Sequence, residues 1–542
     1  MRLSRRETVA AATPTVAAVI LGTALLLGSA TSASTPETID AGTHSCTTDA
    51  SGYCAGQPHG LGTVPVSVVT TAKAPIGGAC TVQTLDADSF TATSFRIRAF
   101  KANGSALTSC LITYSYAAFS GPAPPSSSSP PASSTPASTS ASPSPSPSPT
   151  STGGVLSLPR IPWEGGPQYW AQFPKANASG WTDPAFFPIN VWLSKADTAH
   201  VASLKDAGIT VYEGVEHNPS IEPLSNITGQ GMYAILQQDE WTPAQAGTDP
   251  GVVAWLVSDE CDMGLGGCSG TEQQELADQQ ALAAKVRGYA DARFLTSNFG
   301  NGVTRTFWSP DTMPDLIATV DASSADKYLY TSPGSDQVVA DSPDWPAGAN
   351  TISSAGYGWV VDQMRQFSDP TSPHPIWGGF VETSRPYLTE SGARTITPAQ
   401  IEGAIWSTLI HEARGISYFQ HSNDPTCDGY SIVDCPTVHA AVKAIDAQVK
   451  ALAPVLNTQS YSNGSRVVNG KPLLRYSFGN GTETMLKTYQ GDAYIFADIG
   501  LNQSPGSKTF TVPAGVTGTT VTVVGENRTL PVSGGQFTDT FA

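Results

Sequence analysis

Past its first 33 residues the chain has no run of about 18 consecutive apolar residues, which excludes a membrane-spanning helix from its body. Its eight histidines are scattered, with neither H-x-H nor H-E-x-x-H, and no two cysteines stand as C-x2-C. The ligand sets of metal-dependent hydrolases and zinc ribbons are therefore missing. No G-x-S-x-G elbow occurs in the central part of the chain, so a serine hydrolase lacks its nucleophile turn. A dinucleotide fold would place a glycine-rich phosphate loop after its first strand, where this chain has Leu193-Ser-Lys-Ala-Asp197. Positive charge is scarce too. Lys and Arg number 28 against 45 Asp and Glu, a formal charge of −17 that repels nucleic acid and anionic membranes. A surface kept soluble by its charge accounts for this acidity without any partner.

What the chain does have begins with an export signal. Arg2, Arg5 and Arg6 precede an apolar run from about Val16 to Leu27, and small residues follow to Ala33. A basic start, a short apolar stretch and a small-residue exit describe a cleavable leader, residues 1–33. The run is short for an uncleaved anchor. Ser4-Arg5-Arg6 also has a twin-arginine look, so the Sec and twin-arginine routes both stay open. Loss of the leader, with its three Arg and Glu7, leaves a net charge of −19. The expected location is secreted and extracellular, and the even cysteine count suits an oxidising compartment. Spacing cannot fix connectivity, but the cysteines fall into local pairs: Cys46 with Cys54, Cys80 with Cys110, Cys261 with Cys268 and Cys427 with Cys435.

Residues 121–152 are Pro, Ser, Thr, Ala and Gly with no charge, a composition that cannot bury a core and reads as an extended tether. Before it, residues 43–120 hold short strand-like segments such as Ser94–Phe100 and Leu111–Tyr116 between turn residues, which predicts a small disulfide-bonded β-sandwich. That segment resembles the invertebrate-type lectin sandwiches of other secreted proteins, a possible carbohydrate-binding module. After the tether, residues 155–454 alternate strand-like and helix-like segments eight times. The strand candidates are Phe187–Leu193, Ile209–Val215, Gly231–Gln237, Val252–Asp259, Arg293–Asn298, Val320–Tyr330, Pro375–Glu382 and Gly415–Gln420. Helix patterns between them have readable ends, among them Asp197 to Ala207 before Gly208, Thr271 to Tyr289, and Pro398 to Ala413 after Thr397. Eight strand–helix units predict an α/β fold, a (β/α)8 TIM barrel. Residues 456–542 return to short strands and turns, a C-terminal β-sandwich. The fold class is thus a TIM barrel flanked by an N-terminal and a C-terminal β-sandwich domain.

Barrel chemistry gathers at the C-terminal strand ends. Strand four ends Trp255-Leu-Val-Ser-Asp-Glu260 and strand seven ends Trp377-Gly-Gly-Phe-Val-Glu382. Two carboxyl groups across a barrel mouth suit glycosidic cleavage, one protonating the leaving oxygen and the other attacking the anomeric carbon or activating water. Here the chain resembles the clan A glycoside hydrolases over roughly residues 185–455. Phe186-Phe-Pro-Ile-Asn-Val-Trp192, Trp255…Asp-Glu260, Pro375-Ile-Trp…Val-Glu382 and Arg414-Gly-Ile-Ser-Tyr-Phe419 are similar to uncharacterised relatives of family 42 in that clan. The resemblance implies Glu260 as acid/base and Glu382 as nucleophile of a retaining hydrolase. It also places Tyr328 or Tyr330 where the clan often keeps a hydrogen-bond partner of the nucleophile. The chain departs from the clan at Asp259, where the clan usually has an Asn binding the sugar 2-hydroxyl; Asp259 either takes that work or is itself the proton donor.

Further sugar contacts are expected from Asn298, Gln420 and His421, with Gln238 and Asp239 at the end of strand three. Glu213 and Glu216, near the end of strand two, are competing carboxyls. All eleven tryptophans lie between Trp163 and Trp406, and Trp192, Trp241, Trp308 and Trp377 stand at or near strand ends as candidate subsite walls. Core packing is the competing explanation for most of them. The expected substrate is a polysaccharide or oligosaccharide, acted on by a monomer with no cofactor, no metal, no nucleic acid and no membrane attachment once the leader is gone. The rival reading is a non-catalytic sugar-binding or adhesin protein built on an inactivated barrel.

Overall fold

The computed structural model describes residues 19–22, 39–60, 67–72, 84–88, 91–100, 107–119, 156–162, 165–216, 223–306, 311–368, 375–386, 390–468 and 471–541. The expected tether, Cys80, Trp163 and Trp308 lie outside them, as does most of the expected leader. Among the described residues no helix is long and apolar enough to cross a membrane.

Eight parallel strands close into a barrel: β1 (Ile189–Ser194), β2 (Val211–Val215), β3 (Tyr233–Gln237), β4 (Val252–Asp259), β5 (Phe294–Phe299), β6 (Ala322–Asp326), β7 (Ile376–Glu382) and β8 (Ile416–Phe419). Each pairs with its sequence neighbours, and β8 closes the ring on β1 through Ile416 opposite Ile189. The strands are buried on both faces, hence their near-continuous Val, Ile, Leu and Ala. The sixth strand is shorter than the sequence predicts. It ends at Asp326, and Lys327–Tyr330 turn away into the loop.

Helices α1 (Thr198–Ala207), α2 (Glu272–Arg287), α3 (Ser354–Phe367), α4 (Pro398–Ile410) and α5 (Pro436–Leu456) belong to the outer layer. Their starts follow local chemistry. The Asp197 carboxylate accepts from the amides of Ala199 and His200, and Thr397 forms a capping box with Gln400. Four turns of α3 are buried on nearly every side because the helix lies between the barrel and the C-terminal sheets. The bond across that layer is polar. Asp362 of α3 binds His411 Nδ1 at 2.7 Å and also the Arg466 guanidinium from the C-terminal hairpin. Burial alone would raise its pKa, yet Arg466 and then His411 hold it down at about 2.

The lower half of the barrel is filled by aromatics. The segment Gly166–Ala178 packs beneath the strands and brings Trp170 against Trp377 of β7, stacked at 5.5 Å. Trp181 and Phe294 complete the cluster. Trp377 donates its indole N–H to Thr296 Oγ1 at 3.0 Å. Gly415 is required beside it, since a Cβ there would lie 2.4 Å from the Trp377 ring. Trp377 is therefore a floor residue, fully buried, and not a subsite wall. Trp377→Ala should cost about 3–5 kcal/mol, read as a lower urea midpoint of the barrel transition. A change below about 1 kcal/mol would mean that the cluster does not hold the floor.

The N-terminal unit consists of two three-stranded antiparallel sheets. One orders Ile39–Thr47, Leu111–Phe119 and Ser67–Ala72; the other orders Tyr53–Pro58, Ser94–Phe100 and Thr84–Asp88. Phe95, Ile97, Ile112 and Tyr114 form its core. The C-terminal region has a five-stranded sheet with Thr482–Tyr489, Asp492–Ile499, Thr520–Val524 and Arg528–Pro531, and Val19–Gly22, from the segment expected to be a leader, pair within it between the second and third of these. Gly506–Thr511 pairs with Gln536–Phe541, and Gly464–Val468 with Lys471–Arg475, as two further two-stranded sheets. Among the described residues, disulfides join Cys46 to Cys54, Cys261 to Cys268 and Cys427 to Cys435. Cys110 is also disulfide-bonded.

Candidate active site

A cavity of about 440 Å³ opens at the C-terminal ends of the strands. Trp192 of β1, Phe380 of β7 and Phe419 of β8 form its apolar side. Its polar side comes from the ends of β4, β5 and β6: Asp259, Glu260, Asn298, Asp326 and Lys327.

Glu260 follows β4 in a left-handed conformation, φ 53°, which a non-glycine residue rarely adopts. Three contacts hold that turn. The Glu260 amide donates to the Asn298 carbonyl at 2.9 Å, and its own carbonyl accepts from Met263 and Leu265 at 2.9 and 3.2 Å. Next to it the Cys261–Cys268 disulfide closes the loop. Asp262, fully buried, accepts from the amides of Gly300 and Gly302 at 2.8 and 2.7 Å, tying this loop to the one after β5. Gly300 leaves room for the acid itself, because a Cβ there would come within 3.0 Å of Glu260 Oε1.

Asp259 ends β4 and accepts from Asn298 Nδ2 at 2.9 Å, while Asn298 Oδ1 accepts from Ser324 Oγ at 3.1 Å. Asp326 ends β6 with Lys327 Nζ 3.8 Å from its Oδ1. The carboxyls are crowded into low dielectric, and their acidities respond. The Asp326 charge, then burial, then Asp259 raise Glu260 well above the usual carboxyl range. Burial, followed by the Asp326 charge, pushes Asp259 up to about 7. Asp326 is raised by burial and lowered by Lys327, which offsets part of that cost.

Glu382 behaves differently. Among the described residues that line the cavity, it is not one. It is fully buried, Oε1 accepting from Thr331 Oγ1 at 2.9 Å and Oε2 from the Tyr357 hydroxyl of α3 at 2.7 Å. Burial raises its pKa to about 7 against the pull of those two hydroxyls. Tyr328, on the cavity wall against Phe419 at 4.8 Å, carries the influence of Glu382 as well as of Asp326, Asp259 and Glu260. The structure thus brings Asp259, Glu260, Asn298, Tyr328 and Trp192 to one cavity and leaves Glu382 behind its wall.

Other expected contacts go elsewhere. Tyr330 stacks on Tyr357 at 5.5 Å in the outer layer, because the chain has already left β6, and it meets Glu382 through its backbone amide. Trp241 is buried in that same layer. Gln420 is buried and donates to Ser194 Oγ at 2.8 Å. His421 Nε2 lies 2.6 Å from the Leu193 carbonyl, beside Glu216, whose carboxylate accepts from Tyr430. Gln238 takes Lys285. Glu213 sits inside the barrel with Asn190 and Ser417, its pKa pushed up by burial to about 7. None of these lines the cavity. Among the described residues no group of three His, Cys, Asp or Glu side chains is arranged to hold a metal ion.

Asp326, Lys327 and Glu390 are the charged cavity residues that the sequence did not single out. Glu390 closes the rim by accepting from Ser332 Oγ at 2.8 Å. The available signal was Ala322-Ser-Ser-Ala-Asp326, small residues that end in an acid, hidden by a strand drawn four residues too long.

No family model matches the chain, and no curated protein matches it. Among solved structures, the chain is similar to a β-galactosidase from the psychrophilic Marinomonas ef1, at 12% identity over 49% of this chain and 60% of the other, TM-score 0.37. It is similar to a cold-adapted β-galactosidase from Rahnella sp. R3, at 13% identity over 52% and 58%, TM-score 0.34. A family 51 α-L-arabinofuranosidase from Bifidobacterium longum aligns at 11% identity over 66% and 94%, TM-score 0.36. The chain spans about three fifths of the length of the two β-galactosidases. Likeness at these scores carries no weight for activity, and the (β/α)8 assignment stands on the closed ring of eight parallel strands.

Proposed function

We propose that this chain is an exported glycoside hydrolase acting on a polysaccharide or oligosaccharide. The observation that supports it is a carboxyl at the end of β4, Glu260, kept in its acid form on the wall of a barrel-mouth cavity with aromatic faces opposite. A neutral carboxylic acid at working pH is what protonation of a glycosidic oxygen requires. Glu260 is the proton donor in this reading, with Asp259 and Asn298 beside it as hydroxyl ligands. Glu382 is the nucleophile, reached when the wall formed by Tyr328 yields to substrate. The carboxyl-rich cavity has Lys327 as its cation, so neutral or amino sugars should be accepted ahead of uronates and sulfated sugars.

A second reading draws on the burial of Glu382. With both oxygens capped by hydroxyls, the barrel could bind sugar without cleaving it. The test is turnover of a panel of neutral, amino and uronate glycans and aryl glycosides by the purified protein, with the product anomer read by proton NMR. Cleavage with retention supports the proposal. Binding without cleavage of any member supports the second reading. Inversion would remove Glu382 as nucleophile and leave Asp259 as the candidate base.

A further inference from the structure

We infer that Asp326 is the residue that keeps the acid proton on Glu260. It is a positioning residue, acting through Glu260 and not on the sugar. The hydrolase reading above is needed only for the use to which that proton is put.

Four geometric facts support the inference. The ends of β4 and β6 place both side chains on the wall of the same cavity, in hydrogen-bond contact with each other. Asp326 carries Lys327 Nζ at 3.8 Å, and that ammonium stem is buried, its side chain only 4% exposed. Gly300 lacks the Cβ that would come within 3.0 Å of Glu260 Oε1, so the carboxyl that follows the left-handed Glu260 backbone has room to lie at this contact. Asn298 stands between the two strands and serves Asp259 and Asp326 with one amide group.

Two carboxyls in contact in low dielectric resist double ionisation, so the resting pair holds one proton. Which side holds it depends on the surroundings. Asp326 has a cation and an amide donor, so the charge rests there and the proton on Glu260. Of the other groups facing Glu260, Asp259 acts in the same direction and Lys327 acts against it. On its own element stands Asp259; from the loop behind, Asp262 lies with its charge spent on the Gly300 and Gly302 amides; across β6 stand Lys327 and Tyr328, and on the rim Glu390. In the reaction, the Glu260 proton passes to the glycosidic oxygen as the C1–O bond breaks and its electron pair goes to that oxygen. The carboxylate left behind faces Asp326 and recovers a proton from the water that completes hydrolysis. Asp326 is unchanged throughout.

The test is the pH profile of kcat/KM for Asp326→Asn and Asp326→Glu beside the wild type, together with 13C NMR titration of the Glu260 carboxyl in the full-length protein, assigned by Glu260→Gln. The sign follows from the charge. An amide in place of the carboxylate leaves Lys327 unopposed and favours ionised Glu260. The basic limb and the Glu260 titration should therefore both move to lower pH by at least about one unit in Asp326→Asn, and return most of the way in Asp326→Glu. A basic limb that stays in place, or a Glu260 resonance that titrates alike in wild type and Asp326→Asn, would overturn the inference. If the wild type cleaves nothing, the hydrolase reading fails while the NMR titration still decides the role of Asp326.

Discussion

Glu260→Gln is expected to lower kcat/KM on an unactivated glycan by about 10²–10⁴-fold, the usual contribution of a general acid. Glutamine keeps the volume and the contact with Gly300, and its amide can still meet Asp326. It cannot release a proton. Since Glu260 owes its strained backbone to the Asn298, Met263 and Leu265 backbone bonds and the loop disulfide beyond, the substitution should leave folding intact. Substrate affinity should hold within a few-fold or tighten, because an ionised Asp326 would then face a neutral neighbour. A loss confined to KM would instead mark Glu260 as a binding residue.

Glu382→Gln has the larger expected effect. A nucleophile that forms a covalent glycosyl intermediate cannot be replaced by an amide, and a loss on the order of 10⁴-fold or more is expected, with no burst of released aglycone. The position is discriminating because the carboxylate is sealed. Its two oxygens take hydroxyl donors from Thr331 and from Tyr357, and both hydroxyls can rotate to accept from a glutamine amide. The variant should therefore fold. Unchanged turnover, measured on the substrate that the wild type cleaves, would make Glu382 a buried structural acid and pass the second catalytic role to Asp259.

The barrel was legible because its determinants are local. Strand-like segments of four to eight residues alternating with capped helices define the barrel, and Asp197, Thr271 and Thr397 mark helix starts in the sequence as they do in the structure. Glu260 was legible for the same reason, standing one residue past a strand end. The rest depended on partners distant in sequence. The hydroxyl that covers Glu382 comes from Tyr357, 25 residues earlier on α3. Trp377 stood near a strand but at its start, and the aromatic segment that covers the barrel floor, from Trp170 to Trp181, turns it into core. Asp326 escaped notice because Lys327–Tyr330 continue the strand-like composition of β6, while the backbone leaves the sheet at Asp326 and carries the carboxyl to the mouth. Composition alone does not separate a strand from the apolar loop that follows it.

Leaving-group dependence is the most direct trial of the claim that Glu260 protonates the departing oxygen. The measurement is kcat/KM of the wild type and of Glu260→Ala on two glycosides of the same sugar, one with a dinitrophenyl aglycone that departs without protonation and one with an alkyl aglycone that does not. The account predicts a loss of about 10²–10⁴-fold on the alkyl glycoside and little loss on the dinitrophenyl one. Equal losses on both, or none on either, would contradict it.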